Sequence, residues 1–329
     1  MKLLLSTATA ERLAPALISA CGDAGCTLLR AEALPPGAAC EADAAFVSRD
    51  VTGRSTKQVL EPATAHFHAL LRAAPALRWV QAHSAGADRP VYLDLLARGV
   101  RVSTASGANA QVVAHSALAG LLALARQLPA LWQAQHERRW SPPPLDQLPA
   151  DLAGQTAVVV GWGPIGQALA RCLLALDLRV VVVRRQPQPA GPGLHTVTTD
   201  QLHQVLPQAD WLLLVCPLTP ETHGLIGHEA LQRLPAGARL VNVARGEVVN
   251  EPALLQALQS GHLAGACLDV HATEPLPAAS PLWGLPNVIC TPHCAGFSSG
   301  NEARVDRLFL DNLAAWLQGD ALRNEVPAR

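Results

Sequence analysis

The chain has 329 residues, of which 50% are hydrophobic, 16% charged and 4% aromatic, with a formal net charge of −1. The length suits one large domain or two ordinary ones, and the low charge with high aliphatic content excludes a disordered chain. The near-neutral charge leaves no electrostatic footprint for binding nucleic acid or an anionic membrane.

The start of the chain does not resemble a signal peptide, because the apolar run from Leu3 to Leu5 is short and Glu11 follows soon after. No segment approaches the roughly 20 apolar residues of a membrane-spanning helix. We therefore expect a cytoplasmic protein.

The eight cysteines form no Cys-x-x-Cys pair, which favours buried free thiols over disulfides. The twelve histidines join no zinc-like cluster, so no metal is expected.

Short apolar runs alternate with helix-length segments in the first third of the chain. This pattern predicts a mainly parallel α/β unit. The expected strands cover residues 2–6, 27–31, 44–48, 78–82 and 100–104, and the expected helices cover 9–20, 63–71 and 92–97.

A change of composition follows this first unit. A long alanine-rich helix is predicted over 108–125, and a segment rich in Gln, Arg, Trp and Pro comes after it. The prolines at 142–144 cannot continue a helix. Trp132 and Trp140 in this segment either form a surface for a partner or cap the core.

A second alternating series begins at Gln155. It starts with the strand TAVVV, the turn GWGPIG, a helix over 164–176 and a strand over 179–183. The runs WLLLVCP, ARLVNV, GACLDV and NVICTP are further strands, and an amphipathic helix covers 301–318. The chain is thus predicted to contain two α/β units.

The glycine-rich turn points to a dinucleotide. Gly161, Gly163 and Gly166 form Gly-x-Gly-x-x-Gly between a β-branched strand and a helix. The first glycine allows a tight turn, the second lets the backbone approach a pyrophosphate, and the third lets the helix pack closely. Pro164 suits the first helical turn, whose N–H groups face the anion. A purely structural glycine turn is the alternative.

The end of the next strand distinguishes the two nicotinamide dinucleotides. NAD-binding proteins usually have Asp or Glu there, whereas this chain has Arg184 and Arg185. Guanidinium groups suit a 2′-phosphate, so NADP is favoured over NAD. The alternative is that one arginine is only a solvated charge.

Three ionisable residues follow apolar strands further along the chain: Arg245, Glu274 and His293. Because an open α/β sheet binds ligands at the carboxyl ends of its strands, these side chains are predicted to converge on one site. Each residue alone is more often structural or solvated. Cys294, beside His293, is either a reactive thiol or a packing residue.

The motifs GWGPIG, PLTPETHGLIG, VNVARGEVVNEPALLQAL, GACLDV with EPLP, and TPHCAG together resemble the D-isomer-specific 2-hydroxyacid dehydrogenase family over essentially the whole chain. The resemblance implies two doubly wound parallel-sheet domains. A Rossmann-type dinucleotide-binding domain over 100–293 would be inserted into a flavodoxin-like substrate-binding domain, which is built from 1–99 and 294–329. It also implies a homodimer, with a candidate dimerisation arm around 130–150.

The family's roles carry onto matching residues. His293 would be the general acid that protonates the substrate carbonyl, and Glu274 its orienting partner, because a neighbouring carboxylate favours the imidazolium. Arg245 would hold the substrate carboxylate, together with backbone N–H groups of Ser84, Ala85 and Gly86. Asp269 would orient the nicotinamide carboxamide. The remaining cofactor-binding candidates are Ile165, Cys216, Pro217, Thr222 and Ala244, beside the glycine turn and the two arginines.

The chain departs from the family pattern at Asn250, where Asp is frequent, at His271, where Phe is frequent, and at His115, where Glu is frequent. None of these removes a catalytic group. The sequence RRQP is similar to NADPH-preferring glyoxylate and hydroxypyruvate reductases, which suggests reduction of small 2-keto acids. Trp140 and Trp283 either shape the substrate pocket or are plain packing residues.

Two other functions remain open. One is an NAD-dependent dehydrogenase of another 2-hydroxy acid, such as a hydroxy acid phosphate. A phosphorylated substrate would need basic residues near Ser84, and only Arg78 and Arg89 are close in sequence. The other is a non-catalytic, dinucleotide-sensing regulator of the same fold, although the retained catalytic trio favours an enzyme.

Overall fold

The computed structural model describes residues 1–22 and 25–327, and the chain divides into two compact units. The first unit comprises Met1–Asn109 and Ser298–Arg329, and the second comprises Ala110–Phe297. Each unit contains one parallel sheet with helices, so the predicted α/β fold is confirmed.

The described residues form twelve strands: β1 (Lys2–Leu5), β2 (Thr27–Arg30), β3 (Ala44–Val47), β4 (Trp79–Ala82), β5 (Arg101–Ser103), β6 (Thr156–Val160), β7 (Arg179–Arg184), β8 (His195–Thr198), β9 (Trp211–Leu214), β10 (Arg239–Asn242), β11 (Gly265–Leu268) and β12 (Val288–Cys290). The α-helices in the same part of the chain are α1 (Thr7–Cys21), α2 (Arg49–Thr52), α3 (Pro62–Arg72), α4 (Pro90–Ala97), α5 (Ala110–Ala125), α6 (Leu128–His136), α7 (Pro164–Leu174), α8 (Leu202–Val205), α9 (His228–Arg233), α10 (Glu251–Gln259) and α11 (Asn301–Gln318).

The sheet of the first unit has the order β2-β1-β3-β4-β5, which is the flavodoxin-like arrangement. Helices cover both faces, so its strands are almost continuously apolar. Leu4 belongs to the core shared with α3 and α4, whereas Leu3 belongs to the core shared with α1 and α11. Helix α11 contributes Phe309, whose ring stacks on that of Phe46 with centroids 4.3 Å apart. The end of the chain therefore helps to build the first unit.

The unit boundaries differ from the expected ones. The division falls after Asn109 and after Phe297, rather than after residues 99 and 293. The first difference arises because β5 pairs in parallel with β4 and completes the first sheet. The second arises because the backbone just past His293 is hydrogen-bonded to Asp269 of the second unit. Which unit binds which ligand stays a prediction.

The second sheet has the order β12-β11-β10-β9-β6-β7-β8. Counted from β6, this is the Rossmann order 3-2-1-4-5-6 extended by a seventh strand. The strand order reverses between β6 and β9, and this is the point where such sheets bind dinucleotides. The sequence analysis missed β8, because its four residues HTVT follow a segment rich in Pro and Gly that resembles a loop.

Helices α5 and α6 begin the second unit. Successive turns of α5 bury Val113, Ala117, Leu121 and Leu124 in the core of that unit. No single helix in the described ranges is long and apolar enough to cross a membrane, while α5 and α6 meet the length and composition criteria only as a pair bent by 71°.

The prediction that all cysteines are free thiols is wrong for one pair. Cys21 and Cys26 form a disulfide between the end of α1 and the start of β2, with their Cα atoms 5.7 Å apart. Their spacing gave no signal, because their separation in space depends on where α1 ends and β2 begins. The other six cysteines are free, and Cys40, Cys216 and Cys267 are buried.

Candidate active site

Three neighbouring strands of the second sheet are followed by the three predicted catalytic residues. Strands β10, β11 and β12 lie side by side in parallel. Their carboxyl ends therefore open onto one edge of the sheet. Arg245, Glu274 and His293 follow these ends in that order. Glu274 and His293 meet directly, with 2.7 Å between Glu274 Oε2 and His293 Nδ1.

Glu274 is the more buried member of this pair, with 13% of its side chain exposed against 45% for His293. Burial by itself raises the pKa of the Glu274 carboxyl. The hydrogen bond and charge of His293, the backbone N–H of His271 and the charge of Arg245 together outweigh burial, so the pKa of Glu274 is lowered. Glu274 is therefore ionised near neutral pH.

The Glu274 carboxylate determines which nitrogen of the imidazole is available. An ionised carboxylate only accepts hydrogen bonds, so the proton in this contact belongs to Nδ1 of His293. Nε2 makes no hydrogen bond to any described residue and is the ring atom left to exchange a proton. This is the arrangement of a general acid–base held by a carboxylate.

The turn that carries His293 is held by the buried carboxylate of Asp269. One carboxylate oxygen accepts the Thr291 hydroxyl at 2.6 Å and the Cys294 N–H at 2.9 Å, and the other accepts the Ala295 N–H at 3.0 Å. The backbone carbonyl of Asp269 accepts the His293 N–H at 2.8 Å. His293 itself has a φ of 51°, in the left-handed region that side chains rarely adopt. The bonds to Asp269 stabilise this conformation.

Arg245 is positioned through its backbone neighbours. The side chain of buried Asn242 accepts the Ala244 N–H and donates to the Arg245 carbonyl, each at 3.0 Å. The next residue, Gly246, lies so close to the segment after β11 that a Cβ would be 1.9 Å from the carbonyl carbon of His271. Only glycine allows this approach. It brings the end of β10 against the segment that leads to Glu274.

The glycine turn has the shape that a dinucleotide requires. Gly161 has a φ of 112°, and a Cβ there would lie 2.8 Å from the backbone nitrogen of Cys216. A Cβ on Gly166 would lie 2.2 Å from the Gly161 carbonyl oxygen, so only glycine lets α7 start so close to β6. No described atom lies within 4 Å of a Cβ built on Gly163. This open backbone at the start of α7 fits a pyrophosphate.

The two predicted phosphate-binding arginines lie at the carboxyl end of β7. Arg184 ends the strand and donates from Nη1 to the Gln188 carbonyl at 3.2 Å, while Arg185 is exposed. Neither guanidinium is in an ion pair with another residue of the described chain. Both therefore keep donors for an anionic ligand.

Other predicted cofactor residues lie around the same edge of the second sheet. Cys216 follows β9 and is buried, which raises the pKa of its thiol to about 11. Thr222 closes the next loop, because its hydroxyl donates to the Pro217 carbonyl at 2.7 Å. Ala244 is buried, and its carbonyl accepts a bond from Arg245 at 2.7 Å. Ile165 packs partly buried against the core beneath α7.

The predicted substrate loop belongs to the first unit. Ser84, Ala85 and Gly86 follow β4, and the Ser84 hydroxyl donates to the Gly86 carbonyl at 2.7 Å. This bond folds the loop into a compact turn.

Some features of the site were not found from the sequence. The bonds from Asp269 to the His293 turn and the close approach of Gly246 depend on neighbouring strands, although Asp directly after an apolar strand was a usable signal. His271 is 5% exposed, and its Nδ1 has no hydrogen-bond partner among the described residues.

Burial, followed by the charge of Asp269, raises the pKa of the Cys294 thiol, which disfavours a reactive thiolate. No group of three or more His, Cys, Asp or Glu in 1–22 and 25–327 is arranged to hold a metal.

A family model for the NAD-binding domain of D-isomer-specific 2-hydroxyacid dehydrogenases matches residues 118–295. The chain belongs to this family. It is 35% identical over 262 residues to a glyoxylate reductase of Korarchaeum cryptofilum, an alignment that covers 78% of each chain. It is 34% identical over 260 residues to the mouse glyoxylate reductase/hydroxypyruvate reductase, covering 78% of this chain and 79% of that relative.

This dehydrogenase also has a relative with a phosphorylated substrate in its name. It is 35% identical over 257 residues to a D-3-phosphoglycerate dehydrogenase of Mycobacterium tuberculosis, covering 78% of this chain and 48% of that relative. A solved 2-hydroxyacid dehydrogenase of Xanthobacter autotrophicus, in complex with NADPH and MES, superposes with a TM-score of 0.78 at 31% identity. That alignment covers 100% of this chain and 98% of the other. The chain is an NAD(P)-dependent oxidoreductase that acts on CH–OH groups.

We expect Asp269→Asn to reduce kcat by about 10–100-fold. The amide offers two donors toward backbone N–H groups that need an acceptor, and a lost charged hydrogen bond costs about 1.5–3 kcal/mol. Thr291→Val is the matched variant. It removes only the 2.6 Å hydroxyl bond to Asp269, so we expect a smaller loss of kcat and no change in dinucleotide affinity. Steady-state kinetics with direct cofactor titration measures both, and an unchanged kcat in Asp269→Asn would contradict the holding role.

Proposed function

We propose that this dehydrogenase works as an NADPH-preferring reductase of small 2-keto acids, similar in substrate to glyoxylate and hydroxypyruvate, and forms a D-2-hydroxy acid. The observation that carries the proposal is the His293–Glu274 pair beside Arg245, on the same sheet edge as the glycine turn. In this arrangement His293 is the proton donor, the Glu274 carboxylate orients it, and Arg245 is the cation that would bind the substrate carboxylate.

In this reaction His293 donates a proton to the carbonyl oxygen of the 2-keto acid while the carbonyl carbon is reduced. Nε2 is the donating atom, because Nδ1 is held by Glu274 at 2.7 Å. The Glu274 carboxylate stabilises the imidazolium before the transfer and keeps the ring oriented after it. In the direction of oxidation His293 takes the proton back as a base.

Substrate orientation is the role of Arg245 and of the loop at Ser84, Ala85 and Gly86. The planar guanidinium of Arg245 can hold a carboxylate with two parallel hydrogen bonds, and it also polarises the carbonyl. The loop keeps its predicted role, in which its backbone N–H groups would donate to a substrate carboxylate.

The bound dinucleotide supplies the hydride, and the chain holds and orients it. Gly161, Gly163, Pro164, Ile165 and Gly166 would hold the pyrophosphate at the start of α7. Cys216, Pro217, Thr222 and Ala244 would line the cleft toward the nicotinamide, and Asp269 would meet its carboxamide while holding the His293 turn.

Arg184 and Arg185 would bind the 2′-phosphate of NADPH. Support comes from the absence of a carboxylate at the end of β7 and from the NADPH in the Xanthobacter structure. NAD remains the alternative cofactor.

The relative named D-3-phosphoglycerate dehydrogenase favours a second candidate function, an NAD-dependent dehydrogenase of a hydroxy acid phosphate. The intact catalytic trio favours an enzyme over a dinucleotide-sensing regulator.

A homodimer is the proposed assembly, with the segment 130–150 as its arm. In support, this segment has a rare concentration of exposed apolar side chains, with Trp140 at 96%, Leu145 at 89% and Trp132 at 48% exposure. Exposed tryptophans are typical of interface cores. Trp283 is also exposed and stays a candidate for shaping the substrate pocket. The cytoplasmic location stays a prediction.

The substrate and cofactor are tested together by following oxidation of NADPH and NADH with glyoxylate, hydroxypyruvate, pyruvate and a bulkier 2-keto acid. We expect the highest kcat/KM with NADPH and a small keto acid. In the double variant Arg184→Ala, Arg185→Ala, the KM for NADPH should rise about 10–100-fold while the KM for NADH changes little, because each charged hydrogen bond to phosphate contributes about 1.5–3 kcal/mol.

Arg179→Ala is the control for this double variant, because it removes an exposed arginine from the opposite end of the same strand. It should leave both KM values unchanged. An equal loss of NADPH and NADH affinity in the double variant would contradict a 2′-phosphate contact. Absence of turnover with every pair would contradict the proposed reductase.

We expect His293→Ala to abolish measurable reduction while dinucleotide affinity stays nearly intact, because the variant loses the proton donor and not the glycine turn. The measurement is single-turnover cofactor oxidation alongside fluorescence titration of NADPH. His228→Ala, an exposed histidine at the start of α9, is the control and should be indistinguishable from the unmodified enzyme. Near-normal turnover in His293→Ala would refute the acid–base assignment.

If the segment 130–150 is a dimerisation arm, we expect sedimentation velocity to show a dimer at micromolar concentration. Trp132→Ser with Trp140→Ser should shift the population toward monomer, because the side chains proposed to fill the interface are lost. Trp283→Ser, which removes a tryptophan outside the arm, should leave the dimer unchanged. A monomer in the unmodified protein would contradict the proposed assembly.

A further inference from the structure

One buried imidazole outside the predicted catalytic trio contacts both sides of the acid–base pair. His271 follows β11 by three residues and is 5% exposed. Its backbone N–H donates to Glu274 Oε1 at 3.1 Å, while the other carboxylate oxygen, Oε2, is the one that meets Nδ1 of His293 at 2.7 Å. The main chain of His271 and the ring of His293 therefore bind the two oxygens of one carboxylate.

The ring of His271 reaches the turn that carries His293. Its Nε2 lies 3.3 Å from the carbonyl oxygen of Thr291, the first residue after β12. The same carbonyl oxygen accepts the backbone N–H of His293 at 3.0 Å. Because a carbonyl oxygen only accepts hydrogen bonds, the proton in the ring contact belongs to Nε2 of His271. One residue thus connects the Glu274 carboxylate with the turn of His293.

The other nitrogen of the same ring indicates that stability alone does not explain an imidazole at this position. Nδ1 of His271 is buried and has no hydrogen-bond partner in the part of the chain that the structure describes. A buried acceptor without a partner destabilises a fold, and an apolar ring of similar size would have no such acceptor. The Thr291 carbonyl would still accept the His293 N–H without the imidazole.

Two neighbouring carboxylates each hold one side of the acid–base pair. Glu251, at the start of α10, accepts the Ala272 N–H at 3.2 Å and so holds the segment that leads to Glu274. The Asp269 carboxylate holds the turn of His293. His271 bonds to both sides, so it can set the position of the Glu274 carboxylate relative to the imidazole of His293.

We propose that His271 is a positioning residue for the acid–base pair, which fixes the Glu274 carboxylate against Nδ1 of His293. The inference rests on the proposed role of His293 as the proton donor and adds a residue to that site. A fixed carboxylate keeps the proton of the neutral His293 ring on Nδ1 and orients Nε2 for exchange with the substrate. A loosened carboxylate orients fewer rings, so fewer molecules are ready to react.

The first test measures kinetics and thermal unfolding in two variants of His271. His271→Phe keeps a ring and removes both nitrogens, so kcat for glyoxylate reduction should fall about 3–10-fold, as expected for one lost hydrogen bond between uncharged groups. The KM for NADPH should not change, and Tm should not fall, because the buried acceptor is removed too. His271→Gln should recover most of kcat, because it restores a side-chain N–H donor. A fall of Tm together with kcat, without recovery in His271→Gln, would show a merely structural role.

The second test does not depend on turnover. Long-range proton–nitrogen correlation spectra of protein labelled at the histidine nitrogens distinguish a ring proton on Nδ1 from one on Nε2, and His293→Ala identifies the signal of His293. In the unmodified enzyme with neutral imidazole we expect the proton of His293 on Nδ1. In His271→Phe the two tautomers should mix, and His271→Gln should restore the first. An unchanged tautomer in His271→Phe would overturn the positioning role.

His262→Phe is the matched control for both tests. Nε2 of His262 contacts the Leu231 carbonyl at 3.0 Å, so this variant removes a ring–carbonyl contact of the same kind. His262 precedes β11 and lies at the opposite edge of the sheet from Glu274, so kcat and the tautomer of His293 should stay unchanged.

The two tests separate this inference from the proposed function. If no 2-keto acid is reduced by the unmodified protein, the proposed reductase fails, and the tautomer of His293 in His271→Phe decides the positioning role by itself. If the tautomer changes in His271→Phe while kcat stays the same, the acid–base assignment of His293 fails and the positioning role of His271 is supported.

Discussion

The hydrogen bonds that the buried Asp269 carboxylate accepts determine the geometry of the turn that carries His293. Asp269 accepts a hydroxyl and two backbone N–H groups from the turn after β12, so the turn is folded around it. A left-handed backbone at a non-glycine residue is unfavourable by itself and persists only where surrounding bonds determine it. His293 occupies such a position, and its place opposite Glu274 therefore depends on Asp269.

Parallel strand pairing explains why these groups meet at all. Residues that follow β10, β11 and β12 are separated by many positions in the chain but share one edge of the sheet. Gly246 removes the side chain that would keep the first two segments apart, and the charge of Arg245 then reaches Glu274. The lowered pKa of Glu274 is the result of this convergence, since burial alone would raise it.

Features that depend on local sequence patterns could be predicted from the sequence. The alternation of apolar runs and helices predicted both parallel sheets, and the motifs after three strands predicted Arg245, Glu274 and His293 as neighbours. Features that depend on contacts between distant segments were missed. The disulfide between Cys21 and Cys26 depends on two element ends, and β8 is too short and too close to Pro and Gly to show a strand period.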